Sequence, residues 1–404
     1  MTLSSQDPAD WPVPKLKALP PLSLYIHIPW CLKKCPYCDF NSHAIKTLDA
    51  QVPEAEYTAA LIRDLESALA EVWGRRLGSV FFGGGTPSVF SAQSIDKILT
   101  AVRMLLPLEP YAEVTLEANP GTFEAQKFKD FRAAGINRLS IGIQSFNPHH
   151  LKTLGRIHDD REAWRAVEMA QRHFDNINLD VMYALPEQTV QQAQADIETA
   201  CSFGASHLSA YHLTLEPNTL FYRFPPPLPD DDTAATMQEM IEQSLMGRGY
   251  RHYETSAYAQ PGKESQHNTN YWLFGDYLGI GAGAHSKISF SDKIVRQMRF
   301  KQPRQYLEQA GSAASLIQTQ HSLSSADRGF EFMMNALRLH GGFDTPLFQE
   351  RTGLPIDELR QQLDEAERRG LLVWDRHRIK PTVLGRRFLN DLLQLFLPAE
   401  QSVR

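Results

Sequence analysis

Six short apolar or β-branched runs, at 23–28, 79–83, 113–117, 138–143, 177–183 and 207–213, recur along the first half of the chain. Helical patterns lie between most of them, at 54–73, 91–106, 124–134, 159–173 and 189–203. In the first of these, Leu61, Ile62, Leu65, Leu69, Val72 and Trp73 recur at the three- and four-residue spacing that gives a helix one apolar face. Strands alternating with amphipathic helices make parallel βαβ units with right-handed crossovers. Six such units predict an α/β fold, a partial (β/α)6 barrel. A barrel of this kind carries its functional side chains at the C-terminal ends of its strands.

Residues 1–21 hold five prolines and little periodicity, and read as an extended lead-in. A barrel is expected over 22–290. The run Pro225 to Pro229, followed by Asp230, Asp231 and Asp232, reads as a rigid connector into a helix at about 232–247, where aspartates suit the helix dipole. Residues 291–404 change character. Helices at about 325–339, 344–351 and 356–369, a hairpin at 371–380 and a last helix at 382–396 predict a helical, winged-helix-like domain.

Several function classes are excluded by composition. The net charge of −6 leaves no overall basic footprint for nucleic acid. From 293 onward 17 Lys and Arg face 13 Asp and Glu, but the 356–369 helix is mixed and partly acidic, so it would repel phosphates as much as attract them. No nucleic-acid partner is expected. No stretch approaches the roughly 20 apolar residues of a membrane helix, and the N-terminus shows no apolar run before a small-residue cleavage site. A cytoplasmic protein without a transmembrane segment is expected.

Only four cysteines are present, and Cys31, Cys35 and Cys38 fall within eight residues, directly after the first apolar strand. Four are too few for a disulfide scaffold in a chain of this length. Three thiolates on one loop suit three irons of a [4Fe–4S] cluster and leave the fourth iron open to an amine and a carboxylate. Structural zinc, with His27 or His43 as a fourth ligand, is the alternative, but no second C-x-x-C completes it. Cys201 sits in a helix and reads as a small buried apolar residue.

Other candidates stand at or just past strand ends. Gly83, Gly84, Gly85 and Thr86 follow the second strand, where glycine permits close backbone approach, and no Gly-Lys-Ser/Thr follows to make a phosphate loop. Glu117, Gln144, Arg156 and Asp180 are polar side chains at later strand exits. His267, Tyr271 and Trp272 form a compact segment. Histidine is a common axial ligand of heme and aromatic rings suit a porphyrin face; a core histidine among packing aromatics is the plain alternative. His285 could line the same site, whereas His207 and His212 read as core or rim residues.

The cysteine loop, with the phrases Tyr25 to Cys31 and Cys38 to Ser42, resembles the radical S-adenosylmethionine (SAM) superfamily. Within it, the chain from about 22 to 396 is similar to the oxygen-independent coproporphyrinogen oxidase-like branch, and most of all to the heme-chaperone members of that branch. The resemblance implies a [4Fe–4S] cluster on Cys31, Cys35 and Cys38. It also implies SAM contacts from Tyr25, Tyr37, Gly84, Gly85, Thr86, Glu117, Gln144, Arg156 and Asp180. Reductive cleavage of SAM to methionine and a 5′-deoxyadenosyl radical is the chemistry it implies. The decarboxylating oxidases of the branch carry a further cysteine two residues after the third, where this chain has Phe40. Phenylalanine neither ligates metal nor relays a thiol, so the resemblance points to a heme chaperone, with coproporphyrinogen III oxidase as the alternative. His267, Tyr271 and Trp272 resemble a motif of the chaperones and are expected at heme, which would pass to acceptor proteins. No catalytic residue is assigned.

Overall fold

The computed structural model describes residues 16–45, 52–121, 126–312 and 314–398. Most of the expected lead-in and the start of the expected 124–134 helix lie outside these residues. The six parallel strands are β1 (Leu22–Ile28), β2 (Leu77–Gly84), β3 (Leu108–Ala118), β4 (Arg138–Gln144), β5 (Ile177–Tyr183) and β6 (His207–His212). They lie side by side in sequence order, each paired in parallel with the next. Both faces of such strands are covered, so they read as nearly unbroken apolar runs; β1 is buried at six of its seven positions.

The helices between them are fixed by local chemistry as well as by their apolar faces. Helix α1 (Glu54–Val72) places Glu54 and Glu56 in its first turn and buries Tyr57, Leu61, Leu65 and Val72. Asp159 with Glu162, and Thr189 with Gln192, close capping boxes before the helices Asp160–Gln171 and Val190–Ser202. After the proline run, the Asp230 carboxylate accepts the Thr233 N–H and starts the helix Asp231–Gly247.

The sheet does not stop at six strands. A hairpin, β7 (Arg251–Glu254) and β8 (Ala257–Ala259), adds antiparallel to β6. On the other edge, β9 (Asp276–Ile280) runs parallel to β1, and β10 (His285–Ser289), β11 (Ile294–Arg299) and β12 (Ile317–Ser322) follow antiparallel. The expected boundary at 290 therefore falls inside the twelve-stranded sheet, and Tyr306, Ala310 and Leu316 pack in the barrel's core. A second core gathers Phe332, Phe343, Phe348, Leu363, Leu372 and Ile379, under three helices and a small three-stranded sheet (Phe343–Asp344, Arg378–Pro381, Leu372–Trp374). This is the expected helical, winged-helix-like arrangement. It docks on β7 through the Arg338–Glu254 ion pair at 3.0 Å and the His340 N–H donated to Tyr253 O.

Two buried carboxylates weld the added strands to the barrel. Asp64 of α1 accepts Arg299 Nε at 2.9 Å, the Tyr306 hydroxyl at 2.9 Å and the Gly281 N–H at 3.0 Å. Asp276 accepts Arg75, Lys287 and both the N–H and hydroxyl of Ser289, all within 2.9 Å. Removing one member leaves its partner charged and unpaired in a dry interior. Asp64→Ala should therefore cost about 3–5 kcal/mol, read as a lowered midpoint in urea with an unchanged slope.

Candidate functional site

Strand β1 delivers the cysteine loop to the barrel mouth. The loop is pinched at its neck where Trp30–Cys31 pairs with His43–Ala44, and His43 N–H donates to Pro29 O. The end of β2 clasps the same neck: Gly85 N–H donates to Ile28 O and Thr86 N–H to Trp30 O, each at 2.8 Å. The glycines are dictated by this approach. Gly84 has φ +117°, and a Cβ there would stand 2.6 Å from the His27 ring; one on Gly85 would stand 2.6 Å from Trp30 O. The close contact that requires glycine is thus with the cysteine loop's own stem.

A cavity of about 160 Å³ opens beside this loop. Cys31, Cys35 and Cys38 line it, together with Tyr37, Gly85, Thr86, Glu117, Gln144, Arg156 and Asp180. Residues carried by four strands and their exits, together with the cysteine loop, therefore meet in one place. Tyr25 and Gly84 face the adjoining spaces instead. Asn119, Ser140 and Gly142 also line the cavity and were not singled out from the sequence. Ser140, Gly142 and Gln144 alternate along β4, so the two-residue period of a strand was the available signal.

The thiols sit among donors. Thr86 Oγ1 donates to Cys31 Sγ at 3.5 Å, and the Arg156 guanidinium lies 3.6 Å from Cys35 Sγ. Arg156 is held by Asn119 Oδ1 and Gly142 O at 2.7 Å, while its Nε is buried without a partner. Burial pushes the Cys31 and Cys38 thiols up, so loading with metal displaces protons from them. The donor set fits an iron–sulfur cluster: soft thiols ring one cavity with a cation and a hydroxyl beside them. Among the described residues no three His, Cys, Asp or Glu side chains converge on one metal ion. Both nitrogens of His27 are already bonded, to the Tyr25 hydroxyl and to Asn41 O.

Across the cavity, burial and the neighbouring Asp180 hold the Glu117 carboxyl up at about 8. The Gly84 N–H donates to it at 3.3 Å. Burial likewise raises Asp180, which accepts from Ser140 and Asn178. Gln144 adopts φ +70°, an unusual backbone for a non-glycine residue, at the end of β4.

His267 lies on a short helix, Gln266–Trp272, docked on β1 and β2. Glu113 caps it, accepting the N–H groups of Gln266 and His267. The imidazole is 1% exposed. One ring nitrogen bonds Ser79 Oγ at 2.9 Å and the other the Tyr271 hydroxyl at 3.0 Å, and the ring stacks on Phe81. Burial lowers it to about 3, so it is neutral. It therefore presents no free nitrogen in this conformation. Tyr271 and Trp272 do reach open space: both line a barrel cavity of about 660 Å³ and a groove of about 700 Å³ on the far side of the cysteine loop. Arg338 lies 4.3 Å over the Trp272 ring. His207 is a satisfied core residue between Asn178 and Tyr253, and Cys201 is only partly buried.

Glu117 sets a pH dependence. In the folded chain it keeps its proton to about pH 8, whereas unfolded it loses it near 4.5. The unfolded state binds fewer protons across that window, so stability falls as pH rises from about 5 to 8. In Glu117→Gln that decline should shrink, visible in urea midpoints of the metal-free protein at pH 5 and pH 8.

Residues 25–200 match the model of the radical SAM superfamily, and 323–388 match that of the HemN C-terminal domain. The chain is 48% identical over 381 residues to the heme chaperone HemW of Escherichia coli K12, covering 94% of this chain and 99% of that one. It is 45% identical over 388 residues to the heme chaperone HemW of Haemophilus influenzae, covering 95% and 99%. Among solved structures, coproporphyrinogen III oxidase (HemN) from E. coli, a radical SAM enzyme, shares the fold with a TM-score of 0.79 at 22% identity, over 94% of this chain and 90% of that one.

Proposed function

The chain belongs to the radical SAM superfamily and, within it, to the family of the heme chaperone HemW, and from that membership we propose that it is itself a heme chaperone. It would hold a [4Fe–4S] cluster on Cys31, Cys35 and Cys38, bind SAM in the adjoining cavity, carry heme, and pass heme to acceptor proteins in the cytoplasm. No helix of the described residues is long and apolar enough to cross a membrane. The observation that carries the reading is the joining of the cysteine cavity to two larger spaces through shared walls. Phe40 lines all three, and Tyr271 and Trp272 line the two larger ones.

When bound, a cluster on these cysteines supplies a single electron to the SAM sulfonium. The chain's own residues would do the rest. Arg156 places fixed positive charge beside Cys35 and, with Asn119, braces Thr86 at Cys31. Glu117, protonated near neutral pH, can donate as well as accept toward ribose hydroxyls. Asp180 and Gln144 offer further polar contacts, and Tyr25 and Tyr37 shield the site from water. His267 holds the Tyr271 hydroxyl, and so orients Tyr271 and Trp272 toward the larger spaces. Phe40 stands where the oxidase reading needs a cysteine.

Hemin added to the reconstituted protein should stay with it through gel filtration near one per chain and move to an apo-heme protein on mixing. Coproporphyrinogen III with SAM and reductant should yield no vinyl product. Release of two CO2 per porphyrinogen would establish the oxidase instead. Separately, Cys31→Ser, Cys35→Ser and Cys38→Ser should lose iron, sulfide and visible absorbance while far-ultraviolet circular dichroism is kept. The barrel has its own core, and joint loss of both signals would show that it depends on the cluster.

A further inference from the structure

The groove of about 700 Å³ lies between the cysteine loop and strands β9–β11. Its size is within the range of small-molecule and cofactor sites. Its lining is aromatic and cationic. Phe40 is 61% exposed, unusual for a ring with no polar atom, and shares the wall with Tyr271, Trp272 and Tyr277.

The cations sort into two kinds. Lys287 is buried against Asp276, and Arg296 is bound to Glu331 and the Tyr277 hydroxyl, so both are occupied. Lys34 donates only to the carbonyls of Phe40 and Ser42, and the Lys301 ammonium has no partner among the described residues. Both are exposed. The carboxyls lining the groove are Asp39 at the rim and Glu117 at its inner end, the latter protonated near neutral pH. Two exposed ammonium groups, neither paired with a carboxylate among the described residues, stand at the edge of an aromatic slot and suit a planar apolar ligand with two carboxylates.

Two imidazoles complete it. His285 opens β10, is exposed to the groove, and bonds neither ring nitrogen among the described residues. Partial burial, with Lys301 and Arg296 nearby, lowers its pKa. His43 lies across the groove with its Nε2 buried and unpartnered. His267, by contrast, borders the barrel cavity with both ring nitrogens bonded, to Ser79 and Tyr271.

We propose that heme is carried in this groove, with His285 as its iron ligand, Lys34 and Lys301 paired with its propionates, and Phe40 against the porphyrin face. The proposal rests on the heme-chaperone reading and locates its cargo. Imidazole nitrogen is a usual heme ligand, and the Asn41 amide, donating to Ala282 O and Lys301 O at 2.9 and 3.0 Å, fixes the two walls of the groove to each other.

The test is an anaerobic hemin titration of the cluster-loaded chain, read as a difference Soret spectrum, with iron and sulfide content measured in each variant. Wild type should saturate near one hemin per chain. His285→Gly should shift the Soret maximum and weaken binding at least tenfold, and free imidazole should restore the maximum. Lys34→Glu with Lys301→Glu should weaken binding without moving the maximum. Saturable binding by wild type together with an unchanged spectrum and affinity in His285→Gly overturns the proposal. Loss in His43→Gly alone overturns the choice of ligand. No saturable binding by wild type would instead sink heme carriage as a whole.

Discussion

Everything at the barrel mouth hangs on the clasp between β2 and the exit of β1. Two backbone hydrogen bonds, from Gly85 and Thr86 to the carbonyls of Ile28 and Trp30, hold the stem of the cysteine loop across the strand ends. The clasp tolerates no Cβ at Gly84 or Gly85 because His27 and Trp30 already fill that space. From the other side the Tyr57 hydroxyl donates to His27 O and accepts the Ala282 N–H. One stem thereby touches the second strand, the first helix and the loop after β9. The cysteine cavity and the groove are two faces of that single fastening.

The parallel barrel was legible because strands buried on both faces leave an apolar signature, and all six predicted runs lie on strands. Strands β9–β12 left no such mark. They carry Lys287, Arg296 and Arg299 inside a sheet, and β12 is an edge strand open to solvent along nearly its whole length. Charges can lie there because Asp276 and Asp64 neutralise two of them from positions 11 and 235 residues away in sequence. No local pattern announces a partner at such a distance. The same blindness moved the expected domain division to 290, well before the second core gathers.

The site was readable to the extent that its chemistry follows the architecture. Strands of a parallel barrel lie side by side, so Glu117, Gln144 and Asp180 meet although they are far apart in sequence. Residue type alone does not say whether a histidine's nitrogens are occupied. His267 has the identity of a ligand, but Ser79 and Tyr271 occupy its nitrogens, and Ser79 lies 188 residues away. His285 has the same identity with its nitrogens unoccupied, and nothing near it in sequence marks the difference.

Phe40 and Ser42 stand in the wall common to the cysteine cavity and the groove. Phe40 lies two residues beyond Cys38, so the wall is part of the loop that bears the thiols. A displacement of that loop would move Phe40 and Ser42, and with them one face of the groove. Packed interfaces respond to small shifts by switching between discrete arrangements rather than by bending. The Cys38–Ser42 segment is therefore a structural part of both sites. Because linkage is reciprocal, a ligand in the groove that favours one loop arrangement must in turn favour the cysteine-site state that shares it.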